Sequence, residues 1–105
     1  MSAGIIELTA SNFEAETKSG IVLIDFWAPW CGPCRMQIPI LDQVAEKLPA
    51  VKIGKVNVDE NGELAVQFGV NTIPYLVIFK DGKKVNEFVG MRQANVLVDA
   101  LNAAK

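Results

Sequence analysis

Cys31 and Cys34 stand three positions apart in the run Trp30-Cys31-Gly32-Pro33-Cys34, and their types and spacing point to thiol chemistry. An apolar run rich in β-branched residues ends at Trp27 just before them, and a helical pattern follows, so the pair falls at a strand-to-helix turn. The start of a helix presents unpaired backbone N–H groups and the positive end of its dipole, both of which favour a thiolate over a thiol. Cys31 is therefore expected to be unusually acidic. Residues three apart on a helix share one side, so Cys34 can meet Cys31 in disulfide geometry. A disulfide across so short a loop adds little chain-entropy stabilisation, which favours chemistry over stapling. Pro33 suits a first helical turn, where a missing N–H costs nothing, and Gly32 lets a partner chain approach closely. The competing readings are two buried apolar cysteines or half of a zinc site. With no histidine and no third cysteine, the chain cannot complete a Cys/His tetrahedron, which leaves only a metal bridging two chains. The lack of histidine also removes the Cys-His dyad of a cysteine protease.

Asp25 interrupts the run IVLIDFW at 21–27, where a carboxylate is desolvated and its pKa raised. Read functionally, it accepts and donates a proton for Cys34, with Lys55 on the neighbouring strand as charge partner; otherwise it is a solvated strand-end aspartate. Trp30, beside Cys31, belongs either to the redox surface or to loop packing. Pro74, in Thr72-Ile73-Pro74-Tyr75, reads as a turn before a strand, and Pro39 falls inside the helix after Cys34, where it is expected to kink it.

These residues need elements to hold them. The run 5–8 is a short strand, and Ser11 with Glu14 has capping-box spacing for a helix ending near Gly20. The run 21–27 has the pattern of a strand covered on both faces and so belongs at the centre of a sheet. Ile40, Leu41, Val44 and Leu48 fall at helical spacing, and 51–58 alternates toward another strand, giving a β-α-β unit with a right-handed parallel crossover. Asn61 or Asp59 caps a helix carrying Leu64, Ala65 and Phe68, stopped by Gly69. The strands 75–79 and 85–89 flank Asp81-Gly82, a strong antiparallel hairpin signal, and Gly90 ends the hairpin. Val96, Leu97, Ala100 and Leu101 form the apolar stripe of a last helix. The expected architecture is α/β, one continuous domain over 1–105, with a sheet sandwiched between helices.

Half of the 105 residues are hydrophobic, enough for one modest core, and the formal net charge of -2 with scattered lysines disfavours nucleic acid. The first twenty residues lack the basic start and apolar run of a signal peptide, and no apolar stretch is long enough for a membrane span, so a cytoplasmic location is expected.

The run DFWAPWCGPC at 25–34, then Pro39, then Thr72-Ile73-Pro74, then the glycine of Phe88-Val89-Gly90, closely resembles the thioredoxin family at matching separations over nearly the whole chain. The resemblance implies a thioredoxin fold, with a central mixed five-stranded sheet flanked by about four helices, and a thiol-disulfide oxidoreductase that reduces disulfides in other proteins. It implies that Cys31 is the nucleophile and Cys34 the resolving thiol, that Asp25 and Lys55 are the buried acid-base pair, and that the Ile73-Pro74 bond is cis. It further implies that Ile73 pairs through its backbone with an extended substrate segment, with Pro74 opposite the cysteines and Trp30, Gly32, Pro33 and Gly90 lining the contact surface. No bound cofactor or metal is implied beyond a redox-active Cys31-Cys34 disulfide. The implied partners are disulfide-containing proteins and a thioredoxin reductase, a flavin enzyme that draws electrons from NADPH; the chain itself is expected to be a monomer.

Three residues depart from the family pattern. Arg35 replaces the usual lysine, Met91 follows Gly90 where a smaller residue is usual, and Tyr75 replaces the usual threonine, with its ring expected beside the substrate groove. Two rival functions share these motifs: an oxidase or isomerase of the same fold, and a non-catalytic subunit that binds a partner through this surface. Gly32-Pro33 between the cysteines resembles the reducing members, and an oxidising role belongs in other compartments.

Overall fold

A computed structural model describes residues 4–105; Met1 to Ala3, on which part of the readings of the leader and of the domain's start rests, lie outside the described residues. Five strands form one mixed sheet in the order β1-β3-β2-β4-β5, so the apolar run at β2 (Ile21–Trp27) takes the central place its composition predicts. It pairs parallel with β3 (Lys52–Asn57) and antiparallel with β4 (Tyr75–Lys80). β1 (Ile5–Leu8) closes one edge beside β3, and β5 (Lys83–Val89) forms the other. The hairpin between β4 and β5 turns at Asp81 and Gly82, both at positive φ, 51° and 86°, as a primed turn requires. Asp81 also ties this tip to the turn before β2: its Oδ1 accepts from Gly20 N–H at 2.8 Å, and its own N–H donates to the Gly20 carbonyl at 2.9 Å.

The alternation of side chains along the strands feeds two cores. On one face Leu23, Ile53, Leu76 and Ile78 meet Leu41 and Val44 of α2 (Gly32–Lys47) and Leu97 and Leu101 of α4 (Ala94–Ala104). On the other, Val22, Ile24, Phe26 and Val77 meet Phe13 of α1 (Phe13–Thr17) and Leu64 of α3 (Gly62–Gln67), with Phe68 packed alongside. Each fully buried aliphatic side chain contributes about 1.5–3 kcal/mol over its exposed state.

Several local readings are corrected. The capping box does not form: Asn12 holds the N-cap position, its Oδ1 accepts from Thr9 N–H at 2.7 Å, and the Ser11 hydroxyl pairs with the Thr9 hydroxyl at 2.9 Å. The competing local turn takes the side chains that the box needs. Asn61 stands at the start of α3 without capping it by a side-chain bond, because its Oδ1 accepts from Ala10 N–H at 3.1 Å and its Nδ2 donates to the Asn57 carbonyl at 3.1 Å. Val96, expected in the buried stripe of α4, is 38% exposed, and only Leu97 and Leu101 of that helix are fully buried. As expected, Pro39 lies inside helix α2, on an exposed side.

Candidate active site

Cys31 is the N-cap of α2, in extended backbone at φ -92° and ψ 114°, and the helix runs from Gly32. Its sulfur takes the place of a capping oxygen: Sγ accepts from the backbone N–H of Cys34 at 3.2 Å. The Cys31 carbonyl accepts from Arg35 N–H at 3.1 Å, and the Arg35 guanidinium donates to the Pro29 carbonyl at 3.0 Å, which braces the turn from outside. The two sulfurs are joined as a disulfide with the Cα atoms 5.2 Å apart. The amide and the dipole of α2 act on one atom, Cys31 Sγ, and both stabilise negative charge there once the disulfide opens. Cys31 retains 7% exposure and Cys34 none.

One loop reaches this atom and a second is fastened to that loop. The Ile73-Pro74 peptide is cis and places the Ile73 carbonyl oxygen 3.9 Å from Cys31 Sγ. Gly90, at φ +92°, donates its N–H to the Pro74 carbonyl at 2.8 Å, so the end of the β5 strand is fastened to the cis-proline turn. Trp30 is 67% exposed and its indole N–H donates to Asp59 Oδ2 at 2.9 Å. The ring is thus held by its polar end with its face in solvent, and is not packed in the core. Gly32 has open space where a Cβ would stand, and Pro33 is exposed.

Beneath the cysteines, Asp25 and Lys55 are register partners on β2 and β3, on the face that α2 and α4 cover. Asp25 is fully buried and neither carboxylate oxygen has a hydrogen-bond partner in the protein. Burial pushes its pKa up to about 7 against the opposing pull of Lys55. The alternative of a solvated strand-end aspartate is thereby excluded. Lys55 does not bond the carboxylate; its ammonium lies over the Trp27 ring, 4.5 Å from the centroid.

Tyr75 is placed differently from expectation. The strand alternation turns its ring to the α1/α3 face, where it packs on Phe26 with centroids 5.8 Å apart. Its hydroxyl donates to Glu87 Oε1, the same oxygen that accepts from Lys84 Nζ at 2.9 Å. Burial, then the neighbouring Glu87, holds the phenol above its ordinary range. The substitution thus adds a ring to the core, and only the backbone at 75 adjoins the turn facing the cysteines.

Two contributors were missed in the sequence. Asp59 anchors Trp30, and nothing in its surroundings distinguishes it from other loop acids. Gln37, fully buried, bonds the backbone of Arg92, and it did leave a signal: it falls on the buried side of α2 with Cys34, Leu41 and Val44. A hollow of about 600 Å³ between Phe13, Phe68 and Phe79 lies on the opposite face of the sheet and touches neither cysteine. Among the described residues no group of three or more His, Cys, Asp or Glu is placed to hold a metal ion, and no helix is long and apolar enough to cross a membrane.

A mixed sheet that delivers a reversible dithiol to the exposed start of a helix defines a thiol-disulfide oxidoreductase. The family model for thioredoxin matches residues 4–103. Curated relatives called thioredoxin include those of Listeria monocytogenes, 48% identical over 91% of this chain and 94% of the relative. That of Chlamydia pneumoniae is 46% identical over 90% and 93%, and that of Bacillus subtilis 44% over 93% and 95%. The chain belongs to the thioredoxin family and is a protein-disulfide reductase whose redox centre is its own Cys31-Cys34 pair. Family membership carries with it disulfide-containing substrates and a reductase that restores the dithiol.

Proposed function

We propose that Cys31 attacks and Cys34 resolves. The thiolate of Cys31 attacks one sulfur of a protein disulfide, forming a mixed disulfide and expelling the other substrate sulfur as a thiolate. Cys34 gives its proton to Asp25 and attacks Cys31 Sγ; the second substrate sulfur leaves, and the chain is left as the disulfide, having given up two electrons. The observation that carries this assignment is the difference between the two cysteines: Cys31 Sγ accepts from the Cys34 amide and its residue keeps 7% exposure, whereas Cys34 keeps none. Asp25 is suited to the proton because its pKa lies near neutrality and it faces the helix that carries Cys34; Lys55 tempers its charge. The Ile73 backbone and Pro74 receive an extended substrate segment, and Trp30, Gly32, Pro33 and Gly90 contact it. Tyr75 contributes through its backbone alone.

The dithiol is restored by a thioredoxin reductase, a flavin enzyme using NADPH, and the chain works as a monomer in the cytoplasm, where thiols are kept reduced. The test is trapping: Cys34→Ser should accumulate long-lived mixed disulfides with disulfide-containing bait proteins such as insulin, or in cell extract, and Cys31→Ser should not. Equal trapping by both variants overturns the assignment.

A further inference from the structure

Gln37 lies one turn beyond Cys34 on the buried side of α2, where an unpaired amide is costly. Both ends of that amide are used by a single residue of the loop after β5: Oε1 accepts from Arg92 N–H at 2.8 Å, and Nε2 donates to the Arg92 carbonyl at 3.0 Å. The side chain thus pairs with the loop as a neighbouring strand would, fixing both its distance and its orientation. The same loop is held at its other end by Gly90 N–H on the Pro74 carbonyl, 2.8 Å. Arg92 closes it from outside, its guanidinium donating to the carbonyls of Val89 and Met91 at 2.9 and 3.1 Å. Helix α2, which carries the sulfurs, and the 90–92 loop are therefore joined through one buried amide.

We propose that Gln37 is a positioning residue for protein substrates: it sets the height of the Gly90-Met91-Arg92 loop relative to Cys31, and so the fit of a polypeptide against the sulfur, without touching the substrate. The inference rests on the reading of the Gly90 loop as part of the contact surface. A small disulfide needs the sulfur but not the loop, so the two kinds of substrate separate this role from a role in thiol reactivity.

The test compares insulin with dithiobis-nitrobenzoate as oxidants of the reduced protein. Gln37→Met, which keeps the bulk and loses both bonds, should raise KM for insulin about tenfold, with kcat and the dithiobis-nitrobenzoate rate within about twofold of the parent. Hydrogen exchange at Arg92 N–H should accelerate at least about tenfold in the same variant. Should Gln37→Met fail to fold, Gln37→Glu keeps the acceptor for Arg92 N–H and should move the insulin KM in the same direction by a smaller factor. Equal loss on both oxidants, or faster exchange with an unchanged insulin KM, overturns the inference. Met91→Glu distinguishes the two levels: if it too leaves the insulin KM unchanged, the loop is not a contact and the underlying reading fails. If it raises that KM and the Gln37 variants do not, only the role of Gln37 falls.

Discussion

On the face covered by α1 and α3, Phe13, Phe26, Phe68 and Phe79 meet ring to ring with centroids 5.2 to 6.0 Å apart, whereas the face under α2 and α4 holds Asp25, Lys55 and Gln37 among aliphatic side chains. The polar groups buried on the aromatic side, Thr17, Asn61 and the Tyr75 hydroxyl, all have hydrogen-bond partners in the protein, whereas the other face buries a carboxylate with none. The contrast shows where the molecule accepts desolvation: on the face covered by the helix that carries the sulfurs. The aromatic face supplies cohesion, and the α2 face carries the group proposed to move the proton.

That division can be broken in order of expected effect. Cys31→Ser should lower insulin reduction at least about a thousandfold, because the remaining thiol, Cys34, is fully buried. On the aromatic face Phe26→Ala should cost about 3–5 kcal/mol in unfolding free energy by urea titration. Its thiol-exchange rate per folded molecule should stay within about twofold, and a large loss of exchange would mean that the faces are not independent.

Asp25→Asn should act oppositely on stability and activity. The carboxyl pKa rises from 3.8 to about 7 on folding, so the native state holds a proton more tightly and stability falls as pH climbs between those values. The cost of the ionised carboxylate is absent below the lower value, complete above the upper one, and about 4 kcal/mol in size. The variant should therefore gain about 2–4 kcal/mol at about pH 8, less whatever its buried amide loses, and little at about pH 4, as read by denaturant midpoints. In single-turnover kinetics it should slow resolution more than initial attack. The smallest effect belongs to Tyr75→Phe, about 1 kcal/mol of stability from the lost bond to Glu87, with insulin reduction unchanged.

The parts legible in the sequence were those with a local period or a rigid residue. The continuous run at 21–27 announced a central strand, Asp81-Gly82 announced its hairpin, and the cysteine spacing announced a helix start. What failed had either a competing local turn or a partner distant along the chain. The Ser11 and Glu14 spacing was correct for a cap, but Asn12 bonds back to Thr9 and a different turn forms. Tyr75 was assigned to the groove by its neighbours in sequence, whereas strand alternation sends its side chain to the opposite core. The proximity of Gln37 to Arg92, fifty-five positions away, depends on how α2 lies across the sheet, which no pattern within either segment specifies.

The donor that stabilises Cys31 Sγ belongs to the main chain of Cys34, not to its side chain. Replacing the second thiol by serine therefore removes the group proposed to end each encounter and leaves untouched the amide bonded to the first sulfur. Of the twenty residues only proline at 34 would abolish that donor. The family of variants at this position is thus divided in advance, into many that hold their captured partner and one that should rarely capture it at all.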